Sequence, residues 1–504
     1  MSMTEKILFW MDSNLLYFGI TKYFQEKYDA KYFAITDFSE QLEKSFYKQN
    51  IIKFDKIWNY RENVFLKNEK PNFEYLEKFE KLTKIDLWKL AYSERIFYNY
   101  NKYHQFSEQE ILGILEQECR FFERVLDEVK PKFLVIKMVD YHHSQLLCEI
   151  CKSRGIRILT LSPTRFGDRY MITEEAGLLD PLEEIKLDVT KFKNFEELRE
   201  MIKKYSNQQL NHGKKFKSSK LVQFRASLIF FLKVCNRNYR KHIFHTGRTR
   251  LNVFKNELKL LIDRNSRYNF LNKISISNLP TNEKFIYFTL HSEPERALLF
   301  PAPFYMNQLS VIQNVSKSIP AGYKLYVKEH PTQRIFGWRN KNWYKELTKL
   351  PNVKIIHPNV SNEKLLKKCS LVISIGGTGG LEGSFFNKPS IVFADVIYSM
   401  IKSVTKIQNL SELPKIIRSS LKIQVDINDL NKYIQTIESI SFQINLEKIR
   451  NDMKHRFYYD DFLREVEISE TQIKKFIEDY EDDFKKIVDE HIKKIRKYKY
   501  AEKF

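Results

Sequence analysis

The stretch LVISIGGTGGLEGSFF, residues 371–386, decides the fold class. Leu371 to Ile375 is a short apolar run bounded by glycine, which predicts a buried strand. Gly376, Gly377, Gly379 and Gly380 then surround Thr378, and Leu381-Glu382 opens a helical pattern. Strand, glycine turn and helix make up the repeating half of a parallel sheet wrapped by helices. Glycines let backbone N–H groups come close to a phosphate, and the helix start adds the positive end of its dipole. Thr378 can donate a hydroxyl hydrogen bond, and Glu382 is placed to accept from ribose hydroxyls. The run is neither a Walker A loop, since no Gly-Lys-Ser/Thr follows, nor the spaced G-x-G-x-x-G of a dinucleotide fold. A purely structural tight turn explains the same residues, so the neighbouring strands have to decide.

Those neighbours alternate regularly. Strands are expected at 284–290, 323–328, 353–356 and 389–394, with helices at 305–319, 341–350 and 362–369 between them. In open parallel sheets, ligands bind outside the carboxyl ends of the strands. After 284–290 comes His291-Ser292-Glu293-Pro294-Glu295-Arg296, suited to base or ribose recognition with charge balance for a phosphate. A solvated loop with a local ion pair is the other reading of that segment. After 323–328 comes Glu329-His330-Pro331. Pro331 fixes the turn and holds the imidazole of His330 at the strand end, where it can donate to a phosphate or protonate a leaving group. A hydrogen-bonded structural histidine fits the same place. Lys328 and Glu329 point to opposite faces, so one of them faces the ligand side. Three consecutive strand ends of this kind converge on one edge.

The first third alternates in the same way. Strands are expected at 6–11, 30–35, 54–60, 131–140 and 156–161, with helices at 16–28, 107–130 and 144–155. Ser107 and Glu110 form a capping-box signature. Asp12 and Asp140 fall at strand ends, where either could serve as a general base, and each also fits a structural role. Arg165 and Arg169, in TRFGDRY after the strand at 156–161, suit an anionic acceptor. Cys148 and Cys151 lie within an expected helix with no second pair, which argues for buried core cysteines over a zinc or redox site.

With 504 residues, 43% hydrophobic and 14% aromatic, the chain is expected to form two or three domains with real cores. Its start lacks a signal-peptide pattern, no apolar run reaches spanning length, and five scattered cysteines suit a reducing compartment, so a cytoplasmic protein is expected. The net charge of +22 is concentrated: residues 201–256 hold 14 Lys and Arg and no Asp or Glu. Such a segment favours acidic lipid or an anionic polymer, and 221–244 suits an interfacial helix at an acidic membrane as well as a solvated bridge between domains. No nucleic-acid-reading module is visible, so nucleic acid is not the expected partner.

The segments FTLHSEPERALLF, YMNQLSVIQNVSKSIPAGYKLYVKEHP and PNVKIIHPNVSNEKLLKKCSLVISIGGTGGLEGSFFNKPSIVFA resemble the bacterial capsule and surface polysaccharide biosynthesis proteins, a group that includes the Kdo transferases of capsule assembly. They resemble more distantly the bacterial sialyltransferases with a His-Pro motif. The likeness is good over about 284–400, looser over 107–175, and absent from 185–275 and beyond about 420. It implies an α/β, GT-B-like fold with two Rossmann-like domains facing a cleft, an acceptor domain at 1–184 and a nucleotide-sugar domain at 276–405; the residue patterns themselves add a basic helical linker or insertion at 185–275 and a helical C-terminal region at 406–504. It implies that His330 contacts the donor phosphate, that Gly376, Gly377, Thr378 and Gly379 hold the same phosphate, and that Glu382 takes the ribose. Donors of this group are often CMP-activated 2-keto sugar acids, which need no metal, so no cofactor is expected. The expected function is a glycosyltransferase moving a sugar onto a surface or capsular glycan, peripheral on the inner face of the plasma membrane. A nucleotide-sugar epimerase of the UDP-GlcNAc 2-epimerase type and a non-catalytic export or polyanion-binding protein are the alternatives.

Overall fold

Two sheets organise the chain. The computed structural model describes residues 4–67, 69–180, 192–201 and 220–501. The strands in chain order are β1 (Lys6–Asp12), β2 (Lys31–Asp37), β3 (Lys56–Asn59), β4 (Phe133–Ile136), β5 (Arg157–Pro163), β6 (Arg169–Thr173), β7 (Lys284–Thr289), β8 (Tyr323–Lys328), β9 (Val353–Ile356), β10 (Leu371–Ser374), β11 (Ser390–Val392), β12 (Val404–Lys406) and β13 (Phe442–Gln443).

The first sheet runs β13-β6-β5-β4-β1-β2-β3. Its β1–β5 pairs are parallel, while β6 and β13 add antiparallel edges. The chain travels outward from β1 to β3 and then restarts on the other side of β1 with β4. The topological switch point therefore lies between β1 and β4. The second sheet is wholly parallel, in the order β12-β11-β10-β7-β8-β9. It repeats the manoeuvre: outward from β7 to β9, then back to β10 on the other side of β7. Its switch point lies between β7 and β10. The α/β expectation with two parallel-sheet domains and a helical C-terminal region holds.

Central strands such as FLVI and LVIS are buried at every position, because helices cover both faces of the sheet. Alternate residues of the second sheet divide cleanly. Ile286, Phe288, Leu325 and Val327 join one core, while Phe285, Tyr287 and Tyr326 join the core on the opposite face.

The compact units do not follow chain order. One comprises Met1–Ala176, Tyr205–Asn252 and Ser441–Phe504; the other comprises Gly177–Lys204 and Val253–Ile440. Residues 441–504, part of the expected separate C-terminal region, thus belong with the first sheet. The physical reason is burial: Ile473, Phe476, Phe484, Ile487 and Val488 complete the core over Ile7, Phe9 and Phe24. The helix Glu481–Ala501 reads as a charged tail in sequence, yet its inward face packs on the helix Leu16–Lys27. The approach is so close that a Cβ on Gly19 would stand 2.6 Å from the Phe484 ring. In the middle of the chain the described residues are helical at Lys220–Ile229, Phe230–Val234, Arg237–Lys241 and Arg250–Ile274. Residues 181–191 and 202–219 of the expected basic insertion lie outside the described residues. No described helix is long and apolar enough to cross a membrane.

Candidate functional site

At the β7/β10 switch point, His291 joins the two strand ends. Its Nε2 accepts from the N–H of Gly376 at 3.2 Å, which leaves the proton on Nδ1, 3.7 Å from Glu295 Oε2. The backbone of His291 is fixed by Gln308, whose Oε1 accepts from the His291 N–H at 2.8 Å. Arg339 donates to the His291 carbonyl at 2.6 Å and pairs with Glu293 at 2.6 Å and Glu329 at 2.9 Å. Tyr344 donates to the same Glu329 carboxylate at 2.7 Å. Glu329 and Arg339 are buried, so this is an internal ion network and not a solvated loop. Removing one member of such a network typically costs about 3–5 kcal/mol.

Pleating sends Lys328 to the opposite face from Glu329. Its ammonium donates to Asn362 Oδ1, which also accepts from the Tyr287 hydroxyl at 3.2 Å. Glu382 accepts from the Thr378 hydroxyl at 3.0 Å. Burial pushes Lys328 down to about 8, against the pull of Glu382. Burial also raises Glu382, opposed by its hydrogen bonds to Thr378 and Asn362 and by Lys328.

His330 caps the short turn Pro331–Arg334. Its Nδ1 lies 2.6 Å from the Thr332 hydroxyl and accepts from the Thr332 N–H at 3.3 Å. With Nδ1 accepting, the neutral ring carries its proton on Nε2 and presents a donor. Burial holds His330 below the usual histidine range, with His291 and Lys328 acting in the same sense. Pro331 occupies the first position of the turn, where no N–H is needed.

The glycine turn departs from its expected use. The N–H groups of Gly376 and Gly377 are already engaged, with His291 Nε2 and with Ser374 Oγ at 3.3 Å. The groups left for a ligand shift toward the start of the helix Gly379–Phe385, whose first N–H groups have no intrahelical acceptor. Three glycines of the turn are sterically required: a Cβ on Gly377 would sit 2.8 Å from the His291 ring, one on Gly379 2.7 Å from Thr289 Oγ1, and one on Gly380 2.8 Å from the Tyr398 hydroxyl. The turn is therefore structural and open to a ligand at once. Arg296, in the helix Arg296–Leu299, and Glu295 are both partly exposed at the rim.

In the first unit, Asp12 ends β1 beside the segment that follows β4. Lys137 Nζ lies 2.6 Å from Asp12 Oδ2 and 3.9 Å from Asp140 Oδ2. These two carboxylates hold the Lys137 ammonium well above its ordinary range in spite of burial. The Asp12 side chain is 9% exposed and that of Asp140 is 41% exposed, so Asp140 is the more accessible carboxylate. Arg165 is exposed and in left-handed backbone conformation, with φ of 62°. Arg169 donates to the Ser441 hydroxyl at 2.8 Å and to its carbonyl at 2.6 Å, so its guanidinium ties β6 to the segment entering β13.

Sequence reasoning missed a second buried network beside Asp140. His142 Nδ1 meets Glu94 at 2.8 Å, and its Nε2 meets Glu118 at 3.0 Å. The Tyr60 hydroxyl donates to the same Glu118 oxygen at 2.5 Å. Burial opposes charge on His142, but the two carboxylates raise it to about 10. Next to it, His143 is pushed down to about 4 by burial and by His142, and lies 3.9 Å from Asp37. Arg61, at 2.7 Å, holds the Asp37 carboxylate below its usual range against burial. Ligand atoms of Glu118, His142 and His143 lie within 4.8 Å of one another. Both ring nitrogens of His142 are already bonded to carboxylates, while Glu118 Oε2 and His143 Nδ1 are buried without a hydrogen-bond partner. The pair of histidines is visible in YHH, but Glu94 and Glu118 are remote in sequence and carry no motif. Arg339, at the end of FGWR, likewise had no local signal. The five cysteines form no disulfide and are buried.

Residues 193–422 match the family described as "Capsule polysaccharide biosynthesis protein". This span contains the 284–400 segment whose sequence resembles that family. No curated protein matches the chain. Among solved structures, a β-Kdo 2,7-transferase, KpsC, of Thermosulfurimonas dismutans is 14% identical, with 69% of this chain and 88% of that one covered and a TM-score of 0.29. The UDP-GlcNAc 2-epimerase of Methanocaldococcus jannaschii is 12% identical, with coverages of 86% and 99% and a TM-score of 0.23. A glycosyltransferase of Rickettsia africae is 10% identical, with coverages of 92% and 99% and a TM-score of 0.26. Likeness at this level does not separate a transferase from an epimerase.

Proposed function

We propose that this chain, of the capsule polysaccharide biosynthesis type over 193–422, is a glycosyltransferase that moves a sugar from a nucleotide-sugar donor onto a surface or capsular glycan. The observation that carries the reading is His330: its Nδ1 accepts from Thr332, which presents Nε2–H at the carboxyl end of β8, next to the switch-point histidine and glycine turn. A donor phosphate placed there would receive Nε2–H of His330 and the first N–H groups of the helix Gly379–Phe385. Both stabilise the negative charge that grows on the phosphate as the sugar leaves. Lys328 adds a cation, Glu382 accepts from the ribose, and Glu293, Glu295 and Arg296 border the base.

A CMP-activated 2-keto sugar acid suits this set, because the departing nucleotide monophosphate can be neutralised by side chains and backbone without a metal. Asp140 is the general base for the acceptor hydroxyl, while Asp12 fixes Lys137 beside it. Arg165 is left to meet an anionic acceptor. The enzyme works at the inner face of the plasma membrane on a glycan growing there.

The test is thermal denaturation with CMP, UDP, GDP and CDP in turn. One nucleotide is expected to raise the melting temperature, and a flat response to all four sinks the reading. His330→Ala is expected to lower transfer by about 100-fold or more with the fold retained, the lost cap costing only about 1 kcal/mol. Interconversion of a nucleotide sugar in the absence of any acceptor would favour the epimerase alternative.

A further inference from the structure

The helical run Lys220–Ile229 and Phe230–Val234 in the first unit has two apolar faces. Ala226, Phe230 and Val234 share one side, across a junction from α-helical to π-helical winding at Phe230. Ala226 and Val234 are buried there against Leu463, with Phe230, Tyr459 and Val466 packed around them. Leu221, Phe224, Leu228 and Leu232 recur at intervals of three and four residues on the opposite side, and they are 74%, 67%, 47% and 67% exposed. The fold has thus used one stripe of this helix for its core and left a second, larger one in water.

The charge carried by the helix itself has one sign. Residues 220–241 hold six Lys and Arg and no Asp or Glu. Arg225, Lys233, Arg237, Arg240 and Lys241 are all exposed. We infer that this outer face is a lipid-docking surface: the helix lies in the plane of an anionic bilayer, with Leu221, Phe224, Leu228 and Leu232 in the acyl boundary and the flanking cations on headgroup phosphates. From Leu221 to Leu232 the run is about 16 Å long, which is too short to span and long enough to lie flat.

Other occupants fit less well. A second copy of the chain would bring the same cations against one another with no acid on the helix to pair them. A nucleic acid or soluble polyanion would satisfy the charge but leave four large apolar side chains in water. The helix Arg250–Ile274 also exposes Leu251, Phe254, Leu258 and Leu261, but Glu257 and Asp263 lie among its cations, so it lacks the single-sign field. This surface deepens the membrane placement proposed above and is independent of the sugar chemistry.

Flotation of the full chain with phosphatidylglycerol-containing and pure phosphatidylcholine vesicles tests it. The protein should float with the anionic vesicles, less so as salt rises. Phe224→Glu with Leu228→Glu should lower vesicle partition by about tenfold or more. Arg225→Gln with Lys233→Gln should lower it by a similar factor and weaken the salt dependence. Melting temperature should stay unchanged in both variants, because these side chains are exposed. Equal flotation of wild type and both variants overturns the inference, as does equal binding to neutral vesicles. A wild-type dimer in sedimentation that the apolar variant converts to monomer also overturns it and gives the face to a second copy. The nucleotide-induced melting shift, read on the same samples, reports the transferase reading separately, so failure of one leaves the other measurable.

Discussion

The two switch points share a topology and differ in chemistry. Between β1 and β4 the strand ends carry carboxylates held by a cation, Asp12 and Asp140 around Lys137. Between β7 and β10 the strand ends carry an imidazole and glycines, with His291 accepting from Gly376. The difference follows from what each crevice can offer. Glycines strip side chains away so that backbone donors can approach an anion. Carboxylates offer proton acceptors and repel anions. In the proposed transfer, the second edge would receive the negative charge of a donor and the first would take a proton from an acceptor. Each edge also rests on its own buried ion network: Glu94–His142–Glu118 in the first unit, Glu293–Arg339–Glu329 in the second.

Breaking the first network should have the largest effect. Glu118→Ala leaves a buried imidazolium with one partner, and a loss of about 3–5 kcal/mol is expected in denaturant unfolding. The folded fraction should keep its nucleotide-induced shift, since the proposed nucleotide site belongs to the other unit. The pH dependence sharpens this. His142 is raised in the folded state, so its contribution is complete below about 6.5 and is lost as pH climbs through about 10. Melting temperature should fall across that window in wild type and less steeply in Glu118→Ala. An equal slope in both would remove the charged reading of His142.

An intermediate effect is expected at the glycine turn. Gly377→Val places a side chain where a Cβ already stands 2.8 Å from His291, and overpacking of this kind costs about 1–3 kcal/mol. The nucleotide-induced shift should vanish while the slope with pH stays at its wild-type value. A retained shift would mean that the turn is structural only.

The smallest effect is the subtlest. Lys328 must be protonated to attract a phosphate, and burial pushes it down to about 8. Nucleotide affinity should therefore be full below that pH and fall as pH rises through it, by roughly tenfold between pH 7 and 9. Lys328→Arg should flatten the profile, and titration calorimetry reads both. A flat wild-type profile would detach Lys328 from the phosphate.

Strand ends were legible because each is punctuated locally. Glycine, proline and histidine after apolar runs mark where a parallel strand stops, and the candidate ligand edge follows from that rule alone. The use of each N–H was not legible. Only the fold shows that Gly376 and Gly377 are engaged with His291 and Ser374, which moves the available donors along to the helix start. Arg169 is a similar case: its motif suits an anion, and Ser441, far along the chain, takes it.

By itself the sequence determined the α/β class, two rounds of strand and helix, the edge where His330 and the glycine turn lie, and a concentrated positive charge. These depend on hydrophobic period and turn chemistry, which act over a few residues. Tertiary structure alone decided that the last helices complete the first core, that Arg339 locks two glutamates at one edge, and that Glu94 and Glu118 enclose His142 at the other. Those contacts join residues tens to hundreds of positions apart. Burial gives them their strength, and burial becomes defined only once the chain is packed.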